Sequence, residues 1–357
     1  MKIVLAGAGT AGHIEPALAV ADAWRSEYPK CEFEFVGTSA GLENTLVTSA
    51  GYKLSQIPKV TLPRSLSPAM LLAPIKFGQA LMRSQRIIRD ADCVIGFGGY
   101  VSAPIYLAAA IRRTPFVVHE ANAIPGWANK FGAFLGGAMA VGKPVNNGKF
   151  KSAEVVGLPL KPAIAAALDS AKSDWLAARK VAKDRLGIKS NKPLILVMGG
   201  SQGSVAINSV TTSALSDLLS ECEVLHSVGG KNPLPMATEG YQPVSYIEDM
   251  ATAYLAADLV IARSGAITCA EVNALGRYAV FVPLAIGNGE QARNADFLVT
   301  QGRAVLVPQA EFNADWLTRN VANLLLKSKE LVTGNESDRA AAANIVALMR
   351  RHARIGK

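Results

Sequence analysis

The sequence predicts an α/β architecture of two doubly wound domains facing each other across a cleft, and three observations carry that expectation. Short β-rich runs alternate with Ala- and Leu-rich helical stretches along the whole chain, as in parallel sheets wound with helices. The pattern also opens twice in the same way. Ile3 to Ala6 runs into Gly7-Ala8-Gly9-Thr10-Ala11-Gly12, and Leu194 to Met198 runs into Gly199-Gly200-Ser201-Gln202-Gly203. Finally, 357 residues, 50% of them apolar, exceed what a single hydrophobic core needs.

Strands of the first half are expected near 2–6, 32–36, 93–96, 116–119, 139–141 and 154–156. Those of the second half are expected near 194–198, 224–227, 244–246, 259–262, 279–282 and 304–307. The join falls within 157–162, where Pro159 and Pro162 interrupt regular structure, giving domains of 1–160 and 161–337. The segment 172–189 reads as one solvated helix leading into the second sheet. The last helix, within 338–357, is a candidate to pack back on the first domain.

Composition removes several classes. No apolar stretch reaches the roughly 18 residues of a spanning helix, and the start of the chain has no secretory pattern, so a cytoplasmic chain is expected. Cys31, Cys93, Cys222 and Cys269 are scattered, with no CxxC or Cys/His cluster, so reduced thiols are expected rather than disulfides or structural zinc. The net charge of +9 calls for a polyanionic partner: nucleic acid, anionic lipid or a phosphorylated substrate. Through Leu160 the chain holds 16 Lys and Arg against 10 Asp and Glu, and the remainder holds 21 against 18, so the excess belongs to the first half. No acidic residue lies between Glu43 and Asp90, while Lys53, Lys59, Arg64, Lys76, Arg83, Arg86 and Arg89 do. Between Thr61 and Arg89 this basic segment is dense in Leu, Ile and Met. That suits an amphipathic surface against anionic headgroups, or an ordinary basic helix with its apolar side toward the core. Phe77 is the only aromatic there, which argues against a nucleic-acid surface with stacking side chains.

Gly7, Gly9 and Gly12 fit GxGxxG between a strand and a helix, but Phe35-Val36 leads into Gly37-Thr38, without the acid that a dinucleotide ribose requires. Two further loops, Gly96-Phe97-Gly98-Gly99-Tyr100 and 199–203, also follow apolar strands. All three should therefore lie at the carboxyl ends of strands, on the ligand-binding edge. The stretch Arg263-Ser264-Gly265-Ala266-Ile267-Thr268-Cys269-Ala270-Glu271 is more specific. Ser264 or Gly265 can cap a helix whose amides meet a diphosphate, with Glu271 placed to accept from both hydroxyls of a ribose. The only DxD, Asp90-Ala91-Asp92, precedes a strand and so lies at the opposite edge, which argues against a metal-diphosphate site there; no metal and no other cofactor is expected.

Together, Gly9-Thr10-Ala11-Gly12-His13, Phe97-Gly98-Gly99-Tyr100-Val101-Ser102, His119-Glu120-Ala121-Asn122, Gly199-Gly200-Ser201-Gln202-Gly203, Tyr246-Ile247-Glu248-Asp249-Met250 and 263–271 closely resemble the bacterial MurG family. These are peptidoglycan N-acetylglucosaminyltransferases of the two-domain GT-B fold. The resemblance implies inverting transfer of N-acetylglucosamine from UDP-N-acetylglucosamine to the C4 hydroxyl of the N-acetylmuramyl residue of lipid I, giving lipid II. It also implies a peripheral protein on the cytoplasmic side of the cell membrane, docked through the segment from Thr61 to Arg89. The first domain would then face acceptor and membrane, and the second would hold the UDP-sugar.

Residue by residue, Thr10, Ala11, Gly12 and Asn122 match first-domain positions that reach the donor, and Ser201 matches a donor-phosphate contact. Ile247 matches the position whose backbone reads uracil. Ala266, Ile267, Thr268 and Glu271 match the segment holding sugar, diphosphate and ribose, while Gln291 and Asn294 match contacts to sugar hydroxyls. Lys161 stands where an Arg is common and would meet phosphate or ribose as a point charge. Glu290 replaces the first residue of a frequent Gln-Gln pair, and Ala8 and Ala11 replace glycines. His13 is the candidate base, Glu120 and His119 are alternates, and Tyr100 and Ser102 are candidate acceptor contacts. Another UDP-sugar transferase, or a UDP-N-acetylglucosamine epimerase of the same architecture, is the alternative among enzymes. A non-catalytic sugar-nucleotide sensor would need a degenerate acceptor side, yet His13, Tyr100 and Glu120 are present.

Overall fold

A computed structural model describes residues 1–60, 69–284, 289–329 and 334–355, with 69–72 by backbone alone. The expectations on Thr61, Leu62, Arg64 and Leu66, and on the side chains of Met70, Leu71 and Leu72, lie outside the described residues. The chain divides into two compact units, one of Met1–Lys161 with Asp338–Lys357 and one of Pro162–Ser337.

The first unit is built in the order β1 (Lys2–Ala6), α1 (Ala11–Glu27), β2 (Glu32–Gly37), α2 (Glu43–Ser49), β3 (Lys53–Gln56), α3 (Ala69–Ile87) and β4 (Cys93–Gly96). It continues through α4 (Ser102–Arg112), β5 (Phe116–Glu120), α5 (Trp127–Phe134), β6 (Ala138–Val141) and β7 (Glu154–Val155). Its seven strands are all parallel, ordered β3-β2-β1-β4-β5-β6-β7, and Leu5 of the central β1 registers with Phe35 on one side and Ile95 on the other. The near-continuous apolar runs follow from burial on both faces. Ile3 and Leu5 point to a core shared with Ile14 and Trp24 of α1 and Val47 of α2, whereas Val4 and Ala6 point to one shared with Ala80, Ile105 and Tyr106. Each fully buried Leu, Ile or Val contributes about 1.5–3 kcal/mol.

The second unit runs α6 (Pro162–Ser173), α7 (Trp175–Arg185), β8 (Leu194–Met198), α8 (Val205–Ser213), α9 (Leu215–Glu221), β9 (Glu223–Ser227), β10 (Tyr241–Val244) and α10 (Met250–Ala256). It continues through β11 (Leu259–Ala262), α11 (Ala266–Ala274), β12 (Tyr278–Phe281), α12 (Glu290–Asn294), α13 (Asp296–Thr300), β13 (Ala304–Leu306) and α14 (Ala314–Ser328). Its six strands are again parallel, ordered β10-β9-β8-β11-β12-β13. The chain then returns to the first unit as α15 (Ala341–Ala353), which packs on α1 with Ile345 and Met349 in that core. Arg351 pairs with Glu154 at 2.7 Å, and the Leu158 amide donates to Asp338 Oδ1 at 2.9 Å.

Three local expectations change. Pro162 does not break structure but opens α6, where its missing N–H costs nothing. The helix expected at 172–189 is the shorter α7, set off from α6 at Asp174, which caps α7 by accepting from the Ala177 amide. The strand expected at 244–246 lies three residues earlier, at the sheet edge, where Pro243 is tolerated. Among the described residues no helix is long and apolar enough to cross a membrane. Cys93, Cys222 and Cys269 are buried, Cys31 is partly so, and all four are free thiols.

Candidate active site

In the first unit two glycine loops meet because β1 and β4 are neighbours: the Phe97 amide donates to the Ala6 carbonyl at 2.8 Å. Gly99, at φ +78°, is required there, since a Cβ would stand 2.7 Å from the Ala8 carbonyl oxygen. That carbonyl lies 3.2 Å from Nδ1 of His13, in the first turn of α1, and the Thr10 hydroxyl lies 3.3 Å from the same nitrogen. A carbonyl can only accept, so the contact places the proton on Nδ1 and leaves a lone pair on Nε2. Burial lowers the His13 pKa, partly offset by Glu120, the Ala8 carbonyl and Glu43, so the imidazole is neutral at pH 7. That is the state a general base requires.

The alternates are placed differently. Glu120 is buried with both oxygens occupied: Oε1 accepts from the Asn122 amide at 2.9 Å and from Asn122 Nδ2 at 3.0 Å, Oε2 from the Gly126 amide at 2.8 Å and from Asn129 Nδ2 at 3.0 Å. It orients Asn122 and shapes the loop after β5. His119 is wholly buried on the opposite side of β5, packed on Phe97, with Nε2 3.4 Å from the Gly157 carbonyl. Burial drives its pKa down to about 4, making it a neutral core histidine without access to a reactant. Ser102, expected to meet the acceptor, turns inward instead: it is 0% exposed, and its Oγ accepts from the Gly98 amide at 3.1 Å and donates to the Gly98 carbonyl at 2.7 Å. A hydroxyl beside a glycine loop looks the same in sequence whether it faces solvent or loop. Tyr100 stays 40% exposed, with the Lys59 ammonium 5.3 Å from its ring centre. Lys161 pairs with Glu15 of α1 at 2.8 Å.

In the second unit the third loop follows β8, with Ser201 half-buried at its turn. Ser204 caps α8 by accepting from the Ile207 amide. The Arg263 guanidinium, buried at the end of β11, ties the edge together. Nη1 donates to the Val282 and Pro283 carbonyls at 3.0 and 3.1 Å, and Nη2 to Ser204 Oγ at 2.8 Å and Gln309 Oε1 at 2.7 Å.

Gly265, not Ser264, is the cap residue of α11, and it offers no side-chain acceptor. Ser264 points inward, its Oγ without a partner among the described residues. The first amide to bond back is that of Cys269, to the Gly265 carbonyl, and among the described residues no side chain caps the first-turn amides of Ala266, Ile267 and Thr268. Glu271 is buried further along, accepting from the Tyr254 hydroxyl at 2.9 Å. Ile247 is buried just before the Asp249 cap of α10. Gln291 Oε1 accepts from the Leu284 amide at 3.0 Å, and Asn294 Nδ2 donates to the Ser264 carbonyl at 3.2 Å. Asp90-Ala91-Asp92 lies at the amino end of β4, where Asp92 Oδ2 accepts from the Lys2 amide at 2.7 Å, on the edge away from the glycine loops.

Family models match both units: the glycosyltransferase family 28 N-terminal domain over residues 3–140 and its C-terminal domain over residues 194–349. A Thermobifida fusca protein is 41% identical, the match covering 98% of this chain and 95% of that one. A Corynebacterium glutamicum protein is 45% identical, covering 91% and 90%. Both are named UDP-N-acetylglucosamine:N-acetylmuramyl-(pentapeptide) pyrophosphoryl-undecaprenol N-acetylglucosamine transferase. Among solved structures, Acinetobacter baumannii MurG superposes with a TM-score of 0.70 at 28% identity, covering 98% of this chain and 99% of that one. The chain belongs to the MurG family. The two parallel-sheet units are thus the GT-B fold, shared with more distant MurG neighbours such as the calicheamicin glycosyltransferase CalG4. A Neisseria meningitidis UDP-GlcNAc 2-epimerase, 14% identical with a TM-score of 0.63, shares that fold alone.

MurG motifs in the sequence found the loops and α11, but reading them missed Glu43, Asn129, Tyr254 and the clamp made by Arg263. All four act through contacts distant in sequence.

Proposed function

We infer that this chain is a glycosyltransferase that moves N-acetylglucosamine from UDP-N-acetylglucosamine to the C4 hydroxyl of the N-acetylmuramyl residue of lipid I, forming lipid II. The observation that carries the reading is identity of 41–45% over nearly the whole length to enzymes named for this transfer. The epimerase alternative rests on likeness of fold alone.

The chemistry follows from the side chains. His13 Nε2 removes the proton of the C4 hydroxyl as that oxygen attacks the anomeric carbon of the donor sugar. The new C–O bond forms as the bond to the diphosphate breaks on the opposite face, which inverts the centre; the electron pair leaves with UDP, and the proton stays on the imidazole until solvent takes it. Charge growing on the diphosphate meets the first-turn amides of α11 at Ala266, Ile267 and Thr268, with Ser201 as a further phosphate contact. Glu271 accepts from the ribose hydroxyls, Ile247 reads uracil through its backbone, and Gln291 and Asn294 face the sugar. Thr10, Ala11, Gly12 and Asn122 meet the donor from the first unit, while Tyr100 serves the acceptor. The paired Lys161 contributes less as a phosphate contact than its position implied.

The acceptor is lipid-anchored, so a peripheral protein needs a membrane face. On α3, Ile75 and Met82 are 58% and 57% exposed among the exposed Lys76, Arg83 and Arg86, while Phe77 and Leu81 turn to the core. Apolar side chains ringed by cations on one helix suit anionic headgroups. Incubation with labelled UDP-N-acetylglucosamine and a lipid I analogue tests the activity. Labelled disaccharide is the expected product, and turnover of the nucleotide sugar without acceptor would instead favour the epimerase.

A further inference from the structure

Glu43 opens α2 and is wholly buried, yet among the described residues no Lys or Arg pairs with it. Its charge is held by hydrogen bonds alone. Oε1 accepts from the Thr38 amide at 2.8 Å and the Thr38 hydroxyl at 2.9 Å, and Oε2 accepts from the Gly9 amide at 3.0 Å. Burial alone would raise its pKa, but the bonds from Gly9 and Thr38 outweigh burial and keep the carboxyl below its usual range. Two glycines make room for it: a Cβ on Gly37 would stand 2.4 Å from Glu43 Cγ, and one on Gly41 would stand 1.9 Å from Oε2.

The Gly9 amide is half of a peptide group whose other half is the Ala8 carbonyl, the acceptor for His13 Nδ1. One peptide unit therefore stands between carboxylate and imidazole, donating to the first and accepting from the second. Gly9 sits at φ +94°, a backbone conformation that admits this orientation at low cost only for glycine. We propose that Glu43, the Ala8–Gly9 peptide and His13 form a carboxylate–peptide–histidine relay, with Glu43 a positioning residue for the transfer.

A carboxylate on the N–H polarises the peptide, strengthens its carbonyl as an acceptor and so favours the imidazolium that forms as His13 takes a proton. It does for the base what a directly bonded Asp does in a hydrolase triad, one peptide removed. The charged groups acting on His13 are Glu43 from α2 and Glu120 from the end of β5. The loop after β4 offers glycine backbone, and α5 offers the neutral amide of Asn129.

The proposal rests on His13 as the base, so the test separates the two. Glu43→Gln keeps the shape but loses the charge and one acceptor. The relay requires kcat to fall about tenfold or more with donor KM changed less than about twofold, and the acid limb of the pH–rate profile to move to lower pH, because a charge favouring protonated His13 is gone. Thr38→Val, which leaves the Gly9 bond in place, should keep kcat and the limb within about twofold of the parent. Glu43→Gln with unchanged kcat and limb, while His13→Ala abolishes turnover, overturns the relay alone; near-normal turnover in His13→Ala overturns both. If Glu43→Gln does not fold, ¹⁵N NMR of the parent decides: the relay requires the His13 proton on Nδ1, and a resting proton on Nε2 contradicts it.

Discussion

The Tyr254 hydroxyl donates to Glu271 Oε2 at 2.9 Å, both side chains buried beneath the carboxyl edge of the second sheet. Burial, then the Glu271 charge, pushes the phenol well above its ordinary pKa, so it stays a donor at any working pH. The carboxylate proposed to accept from two ribose hydroxyls is thus held in place by the phenol. Tyr254→Phe leaves that carboxylate with one donor fewer, and a hydrogen bond to a charged group is worth about 1.5–3 kcal/mol. Calorimetric titration with UDP should show affinity falling about tenfold or more, while kcat at saturating donor stays close to the parent.

His13→Ala removes the proposed base and leaves the residues proposed to hold the donor in the second unit intact. Turnover should fall by about 10²–10⁴ with the Kd for UDP-N-acetylglucosamine nearly unchanged. The base works deprotonated, and burial lowers its pKa below 6.5, so activity of the parent should persist below pH 6.5 before declining as His13 takes a proton.

Arg263 donates to four acceptors, among them the buried Val282 carbonyl and Ser204 Oγ, so Arg263→Ala should destabilise the protein by about 3 kcal/mol in denaturant unfolding. Arg263→Lys cannot reproduce a planar fork that reaches both sides and should recover less than half of that loss. Retention of full stability in Arg263→Ala would show that the clamp contributes nothing.

Lys76, Arg83 and Arg86 changed together to Glu should weaken partition onto anionic vesicles by about a hundredfold or more, since each cation near such a surface is worth about 1 kcal/mol. Transfer to a short-chain, water-soluble acceptor should be unaffected. Unaltered vesicle binding would remove α3 from the docking surface.

Much of the fold was legible because most of the central strands are apolar runs, three of which end in glycine loops. The edge strand β3, Lys53-Leu54-Ser55-Gln56, is half solvated and lacks such a run, and it was missed. Candidate site positions were legible where they rest on local backbone geometry, as at Gly9, Gly98 and the start of α11. They were not legible where it depends on contacts between distant positions. Glu43 meets Gly9 across 34 residues, and Arg263 meets Ser204 across 59. The orientations of Ser102 and His119 were equally hidden, because a polar residue at a strand or helix end carries no local mark of the face it takes.

Inverting transfer to a lipid-linked acceptor is checked by proton NMR of the disaccharide formed from UDP-N-acetylglucosamine and a lipid I analogue. The α-linked donor should give a β-linked N-acetylglucosamine on the C4 oxygen, with one UDP released for each linkage. An α-linked product, or donor binding with no disaccharide at all, would contradict it.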